Sequence, residues 1–126
     1  MRAILLAAAV VLCATMANAS DVTFKDFKAE TTESILRLCT ADEDKDLGKY
    51  AIGFCYGWIE GLEQLWGALL VDERFNIKPV SCPGKRLTRD ETHTEFINWI
   101  KANPSAKKLP PLEALTRAAK ETYPCK

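Results

Sequence analysis

A chain of 126 residues with 17 basic and 17 acidic side chains carries no net formal charge. That balance gives no general attraction to nucleic acid or to anionic membranes, and the length allows one modest core rather than two. Five cysteines are present, and their positions relative to the N-terminus decide how they are read.

Residues 1–19 open with Arg2, run through the apolar stretch Ala3 to Val11 and close on Ala17-Asn18-Ala19. A charged start, an apolar middle and a small-x-small site predict a secretory signal peptide cut before Ser20. The apolar run is shorter than the ~20 residues a membrane-spanning helix needs. Lipoprotein processing at Cys13 competes, but Leu12 suits that cut poorly and little apolar chain precedes it. Cleavage at Ala19 discards Cys13 and leaves Cys39, Cys55, Cys82 and Cys125. An even set in an exported chain predicts disulfides, because that compartment is oxidising. The expected product is one domain, residues 20–126, soluble in the periplasm or the medium and off the membrane after cleavage.

An extended leader is expected around Asp21 to Phe27. Thr31-Thr32-Glu33-Ser34 then leads into Ile35, Leu36, Leu38 and Cys39, a short first helix. The charge-dense stretch Asp42 to Asp46 reads as a solvated turn. A long helix follows from about Leu47 to Phe75. Its residues Ile52, Cys55, Ile59, Leu62, Trp66, Leu69 and Leu70 recur at the steps of a 3.6-residue period, predicting one buried stripe. Pro79, Pro83 and Gly84 make Asn76 to Arg86 a loop.

A third helix opens at Thr88, whose side chain forms a capping box with Glu91. Phe96, Ile97 and Ile100 are its buried stripe, and Asn103-Pro104 stops it. Pro110-Pro111 starts a fourth helix, since proline in the first turn loses no needed hydrogen bond. Leu112, Leu115 and Ala119 are expected on its inner face, and Tyr123-Pro124 ends it. No segment of useful length has the period of a strand. The fold class predicted is all-α, a compact bundle of about four helices with two disulfides.

The inventory for catalysis is thin. There is one histidine, His93, and a lone helical histidine is ordinarily a surface or partly buried residue. Zinc sites built on histidine need clustered ligands, and no CxxC suggests a redox or haem site. Glu60 and Glu63 could converge as paired carboxylates do, but on a charged helix they read as solvated. No catalytic residue, metal or cofactor is expected.

Gly53, Gly57 and Gly61 are harder to pass over. Each glycine inside a helix costs about 0.8–1 kcal/mol relative to alanine, so three cost roughly 3 kcal/mol. At 100° per residue they lie opposite the Cys55–Ile59–Leu62–Trp66 stripe, flanked by Glu60 and Gln64. Either another helix of the domain packs closely on this strip, or a second copy or a foreign partner docks there.

Four cysteines allow three pairings. Cys39–Cys55 is expected because a short turn folds the second helix back beside the end of the first. Cys82–Cys125 follows because both lie in proline-flanked segments at the ends of the last two helices.

The order of motifs resembles a known family. Leu38-Cys39 closes the first helix, and Gly53-Phe54-Cys55-Tyr56-Gly57-Trp58-Ile59-Glu60-Gly61 lies on the second. Ser81-Cys82-Pro83, the capped third helix and the terminal Tyr123-Pro124-Cys125 complete it. This is similar to the Rap/Tai family of type VI secretion immunity proteins, over nearly the whole chain from about Ile35 to Cys125. The resemblance implies a periplasmic, non-catalytic inhibitor that binds a secreted peptidoglycan amidase toxin, often as a homodimer. Trp58 stands where a tyrosine is common, and Val71 to Val80 is longer and more charged than usual. A reading from another class is a small periplasmic acid-stress chaperone of the Hde type, also short, exported, helical and disulfide-linked. Those chaperones have a single disulfide and lack the aromatic-proline-cysteine ending.

Overall fold

A computed structural model describes residues 21–126, so the predicted signal peptide lies outside the described residues. They form four α-helices: α1 (Thr32–Cys39), α2 (Gly48–Val71), α3 (Arg89–Ala102) and α4 (Pro111–Thr122). The architecture is all-α, as expected, and both cysteine pairs are bonded as expected, Cys39 to Cys55 and Cys82 to Cys125.

Short α1 is the centre of the molecule, packing on each of the other three helices. Its start is fixed by Thr31, whose hydroxyl accepts the Ser34 N–H at 3.2 Å. Ile35, Leu38 and Cys39 are buried, and they meet Ala51, Cys55 and Ile59 of α2 and Phe96, Ile97 and Ile100 of α3 in one core. The leader is not extended throughout. Asp26–Lys28 makes a 3₁₀ turn that buries Asp26. The Asp26 carboxylate accepts from the Thr23 N–H and hydroxyl and from the Arg37 guanidinium, which ties the leader to α1. Burial pushes this carboxyl up, but those hydrogen bonds outweigh it and hold it below its usual range.

One glycine is required by close approach, and it is outside the predicted strip. A Cβ on Gly48 would sit 1.8 Å from the Asp42 carbonyl oxygen, so only glycine lets the charged turn close onto the start of α2. At its other end α2 stops at Val71, short of the predicted Phe75. The Asp72 carboxylate accepts both the Arg74 N–H and its guanidinium, a local turn that competes with further helix.

The capping box of α3 is as predicted. Thr88 and Glu91 each satisfy the other's backbone N–H. A second 3₁₀ segment, Pro104–Lys108, was not foreseen. It buries Ala106, and the Leu109 carbonyl after it accepts both the N–H and the hydroxyl of Thr32. The inner face of α4 also differs from expectation. Ala114 and Ala118 are buried, whereas Leu112 is 55% exposed. Small residues let α4 approach α3 and α1; Leu115 packs half-buried against the core as expected, and Leu112 is turned toward a gap. No helix among the described residues is long and apolar enough to cross a membrane.

Candidate functional site

The predicted buried stripe of α2 holds for only half the helix. Ala51, Cys55 and Ile59 are buried, but no residue beyond Ile59 is. Leu62, Trp66, Leu69 and Leu70 are half-covered, and they line a groove of about 840 Å³. The facing wall comes from the loop around Val80 to Leu87 and from α3 and α4, including Leu112 and Leu115. The lips carry Leu65 and Leu112, each more than half exposed.

Several polar contacts keep the facing wall in place. The Cys82–Cys125 disulfide is reinforced by the Cys82 N–H donating to the Tyr123 carbonyl at 2.8 Å. The Tyr123 hydroxyl donates to the Glu95 carboxylate, and Trp99 Nε1–H donates to Glu121 at 2.7 Å. The Glu95 carboxylate, with some burial, pushes the Tyr123 phenol up to about 12. Lys85 reaches Glu91 at 2.5 Å. That ammonium and the Thr88 N–H and hydroxyl hold the Glu91 carboxyl down to about 2.

On the opposite side of α2, Gly53, Gly57 and Gly61 are exposed. A Cβ added to any of them meets nothing within 4 Å. Internal packing, one of the two readings of this strip, is therefore not its use within the described residues. Gln64 Nε2 donates to Glu60 Oε1 at 3.0 Å along its edge. Tyr50, 71% exposed, extends the same face three residues before Gly53 and seven before Gly57. Its register in the sequence could have disclosed it. What results is a flat backbone surface with an aromatic side chain at one end.

His93 lies elsewhere, over the first disulfide. Its ring stacks on Tyr56 with centroids 4.7 Å apart, and the Arg89 guanidinium lies 4.7 Å from the Tyr56 centroid. Its Nε2 is buried without a hydrogen-bond partner, and a nitrogen of the ring lies within 4.8 Å of the sulfurs of Cys39 and Cys55. Those sulfurs are bonded to each other, so no thiolate is offered to a metal and the cluster is packing around the disulfide.

The model of the Rap1a immunity proteins matches residues 31–125. The chain belongs to this family. No curated protein and no solved structure matches the chain. The matched span runs from the Thr31 cap to Cys125 and so takes in all four helices and both disulfides. The glycine face and the groove therefore lie inside the Rap1a domain, not on an appendage to it.

Proposed function

We propose that this protein protects its cell by binding and inhibiting a type VI secreted peptidoglycan amidase in the periplasm, as a homodimer and without catalysis of its own. Membership of the Rap1a immunity proteins carries the reading. Two disulfides suit an oxidising compartment, and a signal peptide at residues 1–19 would deliver the chain there. The toxin docks on the uncovered face of α2 made by Gly53, Gly57 and Gly61, with Glu60 and Gln64 at its rim and Tyr50 as its aromatic anchor. Supporting this, a helix with three exposed glycines is less stable than it need be unless another surface approaches its backbone closely.

The test is inhibition of a purified amidase encoded beside this gene. Stoichiometric loss of peptidoglycan cleavage is expected, abolished by Gly57→Leu while the far-UV circular dichroism is retained. An amidase left fully active by excess protein would overturn the proposal. The open apolar groove favours one other reading, the acid-stress chaperone of the Hde type. Suppression of client aggregation at low pH, with no effect on the amidase, would select it.

A further inference from the structure

Beyond the first half of α2 the molecule carries two apolar features without counterparts in the described residues. One is the groove. The other is a knob where α2 ends: Val71 is 82% exposed and Phe75 53% exposed. The knob is held in shape. Asp72 grips the Arg74 guanidinium at 2.6 Å, the guanidinium lies 6.0 Å from the Phe75 centroid, and Asn76 turns the chain at a φ of 46°. An ordered apolar projection loses little entropy when it is buried by a partner.

Charge argues for what fills the groove. The loop wall of the groove bears Arg86, and the α2 wall bears Glu63. Neither has an ion-pair partner among the described residues, whereas Lys85 is already paired with Glu91. On the knob Arg74 is held by Asp72, and Glu73 is the charge without an ion-pair partner among the described residues. A chain with a projection and a groove of matching polarity and complementary charge is complementary to itself. A two-fold axis satisfies both contacts at once, because each copy gives its knob and receives the other's.

We propose that the groove is the seat of a second copy of this chain: the Val71–Phe75 knob of each protomer enters the other's groove, with Glu73 against Arg86. This rests on the reading of the protein as a dimeric inhibitor and assigns its self-association to a different surface from the glycine face. Toxin and partner copy then do not compete for α2.

The experiment uses protein expressed from the full gene and purified with both disulfides intact, measured by sedimentation equilibrium. A dimer is expected, and Phe75→Asp converts it to monomer with the circular dichroism unchanged, since Phe75 supports no core. Glu73→Arg and Arg86→Glu each weaken the dimer about tenfold, and the double variant regains most of the loss. That rescue would not follow from a role in folding. Gly57→Leu leaves the dimer intact. A chain monomeric at ~100 µM, well above the Kd of a specific interface, would overturn the proposal. So would a dimer indifferent to Phe75→Asp, or one not regained by the double charge reversal. A monomer that still inhibits an amidase removes this inference and the homodimer but leaves the inhibition, and a dimer that inhibits none removes the inhibition but leaves this inference.

Discussion

Replacing glycines on the outer face of α2 separates folding from recognition, because the two should move in opposite directions. An added Cβ at Gly53, Gly57 or Gly61 meets nothing within 4 Å, so no steric term opposes substitution in the free chain. What remains is helix propensity and the entropy of the unfolded chain, which favour alanine by about 0.8–1 kcal/mol per site. Gly57→Ala should therefore stabilise the protein by about 1 kcal/mol, a rise in Tm of roughly 4–8 °C for a domain of this size. The triple alanine variant should approach about 3 kcal/mol, taken as the sum of the single sites. Inhibition of the amidase should weaken in the same series, because each Cβ holds the partner off the backbone. Thermal melts followed by circular dichroism, beside inhibition titrations, read both quantities. A fall in Tm for Gly57→Ala would refute the reasoning, since it would mean that something within the fold already lies on that face.

Three further outcomes follow from the staples and ionisable groups. Replacing Cys82 and Cys125 together by serine reopens a closure spanning 43 residues, worth about 4 kcal/mol in the chain-entropy model, and replacing Cys39 and Cys55 reopens one of 16, worth about 3 kcal/mol. Strong reductant should accordingly bring the melt close to ambient temperature, and a melt unchanged by reductant would show that the helices suffice alone. Asp26 has a lowered folded pKa, so its contribution is present above its usual 3.8 and lost as the pH falls through the folded value. Arg37→Ala should move acid unfolding to higher pH, and coincident acid transitions would remove Arg37 from the account. Tyr123 has a raised folded pKa, so its contribution is present below 10 and lost as the pH rises through about 12. Tyr123→Phe should be less stable at neutral pH and lose less stability over that alkaline window, which denaturant titrations at both pH values can check.

How far the sequence was legible depended on whether the signal was local. The Thr88–Glu91 box, the proline starting α4 and the spacing of Cys39 and Cys55 about one short turn are local, and each sits as read. Gly48 was missed because the reason for it is a carbonyl of Asp42, brought near by a turn whose path no pattern encodes. On the inner face of α4 only Leu112 departs from the reading, because periodicity alone put it inward, whereas Leu115 does pack against the core. Ala114 and Ala118 were instead selected by how closely α4 must approach its neighbours. The glycine face was legible as a feature, although its exposure was not. Tyr50 belonged to it by register and was passed over because it precedes the first glycine.

The far half of α2 shows why apolar periodicity does not establish burial. Leu62, Trp66, Leu69 and Leu70 continue the rhythm of Cys55 and Ile59, and a hydrophobic stripe states that something apolar will cover it without saying whether that cover is in the same chain. Here full burial stops after Ile59, and the disulfide from Cys39 to Cys55 fixes α1 to the first half of the helix. No residue of α1 lines the groove; α4 is held to α3 through Tyr123 and Trp99, and the loop is held to the end of α4 through Cys82. The same short first helix that centres the core thus leaves the second half of α2 only partly covered.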